Sequence, residues 1–382
     1  MLREALTERL SSAFPSHVTI DCEALAANVR WIKAFIGNDV ELMAVVKANA
    51  YGHGAVAVAD IGLRNGAAML AVANISEAIE LREAGINAPI LVLSFVPAEA
   101  VQVALALNLR LTLYDVAQAS QYQSCVESEP GRLIAHVKVD TGMGRLGVAY
   151  DEAMALCDYV RAQTALQLEG IYTHFSAADS DLDYTSEQLS RFSCLLNELQ
   201  RAGFRFRYVH AANSAALLTC RGSHFNLVRP GLLLYGLNPL AGGEAINGLQ
   251  PALSWKTNIA QVKTLPPGSP VGYGNTYRTR GWETIAVLPV GYADGLRRSP
   301  RSWREVLVHG VRAPLVGRVS MEKVTINVSH IPDVRIGDEV VLLGKQAGDE
   351  ISADEIAEWI GSINYDVATS VAPRAPRALM YS

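Results

Sequence analysis

The feature that most restricts the fold is a repeated alternation of short apolar runs with helical patterns. Eight β-branched or apolar runs recur: "ELMAVVKAN" (41–49), "MLAVANI" (69–75), "PILVLSF" (89–95), "RLTLYD" (110–115), "AHVKVDTG" (135–142), "LEGIYTHF" (168–175), "YVHAANS" (208–214) and "LVRPGLLLYG" (227–236). Helical patterns separate them. "SEAIELREAG" reads as opening on Ser76 as N-cap and closing on Gly85, and "YTSEQLSRFSCLLNELQRAG" is a longer helix of the same kind. Eight such units within about 240 residues predict a (β/α)8 barrel of the TIM type. A doubly wound open sheet is the alternative, because alternation alone does not close a ring.

Past residue 245 the texture changes. "PPGSPVGYGNTY", "TIAVLPVGYADG", "REVLVHGVRAPLVGRVSMEKVTINVS" and "IGDEVVLLGK" are short β-branched runs divided by Gly and Pro turns. The expected organisation is a barrel over 1–245 and a mostly β C-terminal domain over 246–382. A helix near the end, "SADEIAEWIGSI", has Ser352 as its N-cap with Glu355 three residues on. One strand and helix, in "HVTIDCEALAANVRWIKAFIG", precede the eight units, and that strand is a candidate partner for the β-domain.

Composition narrows the function classes. Half of the 382 residues are hydrophobic and 19% are charged, which suits a large core. A net charge of −5 argues against a general nucleic-acid or anionic-membrane surface. The opening segment is charged throughout and carries no apolar signal region, and "PILVLSFVP" is far short of a membrane span. Five scattered cysteines, with no CxxC pair, read as free thiols in a reducing compartment. No metal-binding or Walker motif is present. The expectation is a soluble cytoplasmic protein without a metal.

In a barrel, chemistry collects at the C-terminal ends of the strands. Those ends carry Lys47, Lys138 to Arg145, His174, Asn213, Ser214 and Arg229. One lysine at a strand end is ordinarily a solvated cap, and one histidine a satisfied core residue. Together they form a cationic, hydrogen-bonding ring suited to an anionic planar ligand. In "HVKVD", period two places His136, Lys138 and Asp140 on one face, into the barrel, and Val137 and Val139 on the other. "GMGRLG" (142–147) matches a dinucleotide fingerprint, but it belongs to the fifth unit and lacks the acidic residue about twenty positions on. Pyridoxal 5'-phosphate suits the rim better, since it needs a lysine, donors for a phosphate and a partner for its ring nitrogen.

The motifs "AVVKANAYGHG", "HVKVDTGMGRLG", "GIYTHFSAAD", "HAANSAA", "LVRPGLLLYG", "VGYGNTY", "LPVGYADG", "LVGRVSM" and "INYD" resemble, in order, those of the alanine racemase family. The resemblance runs from about residue 16 to residue 376. It implies that Lys47 binds pyridoxal phosphate covalently and serves as one catalytic base. It implies that Tyr51, Ser214, Tyr365 and the backbone near Gly231 and Leu232 hold the phosphate, that His174 lies near the ring, and that Arg229 faces the ring nitrogen. Tyr273 would be the second base, delivered from the β-domain of a partner subunit in a head-to-tail homodimer. Arg145 and the N–H of Met321 would meet the substrate carboxylate, and Lys138 matches a position that is N-carboxylated in many members. The implied reaction supplies D-alanine for bacterial cell-wall synthesis. The chain departs from the family pattern at Glu322, where aspartate is usual, which leaves a racemase of a related small amino acid such as serine as the alternative. A barrel-type decarboxylase would place a carboxylate, not Arg229, on the ring nitrogen, and a pyridoxal-phosphate carrier would lack Tyr273.

Overall fold

The structure, a computed structural model, describes residues 14–240 and 246–381. Residue 245, at the expected domain boundary, and most of the charged opening segment lie outside the described residues. Contacts divide the described chain into two compact units, one of residues 25–50 and 54–250, the other of residues 14–24, 51–53 and 251–381.

The first strand, β1 (Ser16–Asp21), belongs to the second unit. The first unit is built on β2 (Glu41–Val45), β3 (Met69–Val72), β4 (Ile90–Val92), β5 (Arg110–Leu113), β6 (Leu133–Asp140), β7 (Leu166–Tyr172), β8 (Tyr208–His210) and β9 (Leu227–Val228). All pair in parallel, in the order β9-β2-β3-β4-β5-β6-β7-β8. Sequential order, with the last strand beside the first, is a nearly closed barrel and excludes the doubly wound sheet. Just past the ends of β8 and β9, the N–H of Arg229 donates to the carbonyl of Ala212 at 2.9 Å.

Each of the eight apolar runs overlaps one of these strands, with β6 and β7 beginning two residues before their runs, and every strand stops short of its run's end. β2 stops at Val45, so Lys47 lies beyond the strand and not on its last position. The reason is local: Val46 still donates to Ala71, and the chain then turns left-handed. The helix after β3 begins two residues earlier than the Ser76 cap predicts. Asn74 caps Ile75–Glu83, because its side chain accepts from the N–H of Glu77 while the Glu77 carboxylate returns to the N–H of Asn74. The long helix spans Leu182–Arg201 and is capped by Asp181.

The second unit contains a mostly antiparallel sheet of β10 (Leu253–Asn258), β11 (Gln261–Leu265), β12 (Glu283–Leu288), β13 (Glu305–Val308), β14 (Val311–Val316), β15 (Val324–Asn327), β16 (Glu339–Gln346) and β17 (Arg377–Met380) together with β1. The order is β11-β12-β15-β14-β13-β16-β10-β1-β17. β1 therefore pairs with the β-rich part of the chain, antiparallel to β10 and parallel to β17. Trp255 anchors this sheet: fully buried, it packs edge-on against Trp303 and donates from Nε1 to the Ser16 hydroxyl at 3.0 Å. Ser352 caps Ala353–Ile360 by accepting from the N–H of Glu355.

Candidate active site

At the rim of the barrel, Lys47 starts a turn in which Ala48, Asn49, Ala50 and Tyr51 all have φ between 51° and 54°. Left-handed backbone costs an L-residue roughly 1–2 kcal/mol, so four in succession require external support. The Glu77 carboxylate supplies part of it. One oxygen accepts from the N–H of Ala48 and the other from the N–H of Ala73, each at 2.7 Å. The Asn49 side chain accepts from the N–H of Ala55 at 2.8 Å. Lys47 is thus fixed by the turn that follows it. Burial lowers the Lys47 ammonium below its ordinary range and the nearby Arg145 adds to this, while Glu77 opposes it.

Arg229 is 4% exposed. Its Nη1 donates to Nδ1 of His210 at 2.9 Å, and its Nη2 to the carbonyls of Thr173 (2.8 Å) and Ala211 (3.0 Å) and to Nδ1 of His174 (3.3 Å). Among the described residues its Nε makes no hydrogen bond. His174, accepting from an arginine, carries its proton on Nε2. Burial and then the Arg229 charge hold it well below the usual histidine range. Lys138, beside them, is pushed down to about 8 by burial and the charges of Arg145 and Arg229. Its Nζ lies 5.7 Å from the centre of the Tyr172 ring.

The Ser214 hydroxyl accepts from the N–H groups of Gly231 (3.0 Å) and Leu233 (3.4 Å), which ties the loop containing Gly231 and Leu232 to the start of helix Ser214–Thr219. Asn213 spends its side-chain oxygen on capping that helix, accepting from the N–H of Ala216 at 2.9 Å. The dinucleotide-like loop cannot cradle a phosphate with its first amides. Those of Gly142, Met143 and Gly144 already donate to one Asp140 oxygen at 2.8, 2.9 and 3.2 Å. That capped loop carries Arg145.

Other predicted residues belong to the second unit and are described within it. Tyr273 is 65% exposed, between Gly272 and Gly274 with φ of 73° and 74°, and the Arg298 guanidinium lies 6.0 Å from its ring. The turn containing Met321 is locked to "GYADG" by donation from Tyr292 to the Ser320 carbonyl and from Ala293 to the Met321 carbonyl. A Cβ on Gly291 would stand 2.3 and 2.4 Å from those two oxygens, so no side chain fits there. The N–H of Met321 makes no hydrogen bond among the described residues. Glu322 accepts from Arg374 Nη1 at 3.1 Å, while Arg374 Nε donates to Asp294 at 2.6 Å and Asp294 accepts from the N–H of Gly291 at 2.8 Å. Burial, then Tyr365, pushes the Tyr51 phenol up to about 12. His53 is buried, with Nδ1 3.1 Å from the Tyr51 carbonyl, in keeping with a turn role. Glu77 and Arg374 escaped the sequence reading; Glu77 is legible there only as a helix-capping glutamate.

Among the described residues no cluster of His, Cys, Asp or Glu could hold a metal, and no helix is long and apolar enough to cross a membrane. Residues 20–239 match the family described as alanine racemase, N-terminal domain, and residues 252–379 match alanine racemase, C-terminal domain. The chain is 44% identical over 368 residues to an alanine racemase of Desulforamulus reducens, covering 95% of this chain and 98% of that one. It superimposes with a TM-score of 0.91 on the crystal structure of alanine racemase from Bacillus anthracis with bound L-Ala-P, at 40% identity over 96% of this chain and 95% of that chain. The alanine racemase of Streptomyces coelicolor is similar at 31% identity and a TM-score of 0.92, with 97% and 99% covered.

Proposed function

Because the chain belongs to the alanine racemase family, we propose that it interconverts L- and D-alanine with pyridoxal phosphate, using Lys47 and Tyr273 as two opposed bases. The observation that carries this reading is Arg229. A nearly buried guanidinium has Nη1 and Nη2 engaged and Nε left as a donor, at the rim where Lys47 has a lowered pKa. A ring nitrogen that stays unprotonated is the acceptor such a donor suits. The same residues fit the rest of the group: Lys47 for the covalent link, and Ser214, the Gly231–Leu232 loop, Tyr51 and Tyr365 for the phosphate. When bound, the cofactor delocalises the electron pair left on the substrate Cα.

The chain's own residues do the remaining work. Racemisation removes the Cα proton from one face and returns a proton to the other, which one base cannot readily do. Lys47 takes or gives it on one face and Tyr273 on the other, with Tyr273 acting on L-alanine. Arg145 and the N–H of Met321 hold the carboxylate. Burial and the charges of Arg145 and Arg229 lower Lys138 to about 8, so a minor fraction is free amine at neutral pH, far more than for an ordinary lysine. Its attack on carbon dioxide, with loss of one proton, gives a carbamate whose negative charge orients Arg145. The product fits a cytoplasmic supply of D-alanine for cell-wall synthesis.

Tyr273, Tyr292 and Met321 are exposed at 65, 42 and 56%, which supports a second copy of the chain as their cover and a homodimer with shared sites. Mixing Lys47→Ala with Tyr273→Phe protein tests this. After subunit exchange, half of the dimers are mixed and each holds one intact site, so about a quarter of wild-type activity should return. No recovery after verified exchange would place both bases on one chain.

A further inference from the structure

Behind Arg229 the barrel interior holds a file of polar side chains that the proposed chemistry does not use. His210 Nε2 lies 2.9 Å from His136 Nδ1, His136 Nε2 lies 3.2 Å from Glu169 Oε2, and Arg110 Nε donates to that same oxygen at 3.2 Å. His136 and His210 are fully buried, and Glu169 and Arg110 are buried. The partners come from β5, β6, β7 and β8, and Arg110 opens its strand at the end remote from Lys47.

The direction of every proton in this file follows from its ends. A guanidinium has only donors, so His210 must accept at Nδ1 and keep its proton on Nε2. His210 then donates to His136, which must accept at Nδ1 and keep its own proton on Nε2. His136 donates in turn to Glu169, whose carboxylate also receives Arg110. Both imidazoles are neutral, and all donors between Arg229 and Glu169 point one way. Burial, foremost, lowers both histidines, and His210 most. The carboxyl of Glu169 stays below its usual range although burial opposes this, because His136 and Arg110 outweigh it.

Space is reserved for the relay. Gly170 pairs with His136 across β6 and β7, and a Cβ there would stand 2.6 Å from His136 Nδ1. The Tyr172 ring lies flat against His210, 4.6 Å between centroids at 7°.

We propose that Glu169 is a positioning residue for Arg229, acting through neutral His136 and His210 to hold Nη1 so that Nε faces the rim. Glu169 is the carboxylate at the far end of Arg229's hydrogen-bond chain, and it aligns the imidazoles that reach the guanidinium. The inference rests on the reading of Arg229 as the partner of the cofactor ring nitrogen. The two fail separately: absence of cofactor at Lys47 would remove that reading, whereas the relay is read from histidine signals.

The test is nitrogen NMR of holoenzyme labelled in its histidine rings. His136 and His210 should each show a protonated Nε2 and a bare Nδ1. A doubly protonated ring, or a proton on Nδ1 of either, overturns the proposal without any variant. Glu169→Gln keeps an acceptor and removes the charge. It should shift the His210 Nδ1 signal and lower kcat roughly tenfold with KM within about twofold. An unchanged His210 signal would reduce Glu169 to a strand anchor and overturn the proposal. If that variant does not fold, Gly170→Ala serves instead, since it displaces the His136 ring without altering any member of the file. The same His210 shift is expected, and its absence again overturns the proposal.

Discussion

Arg229 and Tyr273 are assigned to one reaction but stand in opposite surroundings. Arg229 is buried, with two of its three nitrogens committed to named acceptors on the barrel strands and loops. Tyr273 projects from a turn between two left-handed glycines and is 65% exposed. The barrel holds its groups by hydrogen bonds that also hold the barrel, so geometry and stability there are one property. The β-rich unit presents its groups on turns whose stability owes them little. Substitution should therefore cost both stability and activity in the first region, and activity alone in the second.

The largest effect is expected at Lys47. Lys47→Ala should abolish measurable racemisation and borohydride fixation of pyridoxyl on the peptide containing residue 47. Label recovered instead on Lys138 or Lys256 would overturn the assignment. Tyr273→Phe is the sharpest trial of the contrast. It should lower racemisation ~10²–10⁴-fold yet change stability by no more than ~0.5 kcal/mol, as an exposed position should. Solvent exchange of the α-proton should persist from D-alanine and disappear from L-alanine. Equal loss from both enantiomers would contradict two separate bases.

Glu77→Ala probes the barrel side. Ala48 and Ala73 would lose their acceptor, costing about 1–3 kcal/mol, and the left-handed turn would loosen around Lys47. Activity should fall roughly tenfold through misplacement, with faster hydrogen exchange in the 47–54 peptide. Unchanged exchange would show that Asn49 and the backbone bonds suffice.

The smallest effect is expected from Glu322→Asp. Its carboxylate is engaged by Arg374, which is itself held by Asp294. The ratio of kcat/KM for alanine over serine should stay within about twofold, under ~0.4 kcal/mol. A larger change would give Glu322 a part in substrate choice despite that pairing.

How far these features were legible depends on the range of the interactions behind them. The eight barrel strands were visible because apolar runs and helical periods are local, and the inward face of β6 followed from period two. His136 could be placed inside on that basis. Its partners could not, since Glu169 and His210 lie 33 and 74 residues away and nothing in their neighbourhoods marks them as a pair. The strand was extended past Val45 to Asn49 because Ala48 and Asn49 include no glycine to announce left-handed backbone. Glu77 and Asn49, which sustain it, look like ordinary capping and loop residues. The Asn74 cap was missed by two positions because Ser76, itself hydrogen-bonded to Asn74, carries the same local signal.

The position of β1 has a consequence in time. It lies between β10 and β17, paired with residues 253–257 on one side and 377–380 on the other. During synthesis β1 leaves the ribosome well before its neighbours, which emerge more than two hundred residues later. Every barrel strand is made in that interval, so the barrel can assemble while β1 waits unpaired with its backbone donors and acceptors still open. The β-rich unit is therefore completed by pairing segments far apart in sequence, and its ladders to β1 form only after every barrel strand has been made.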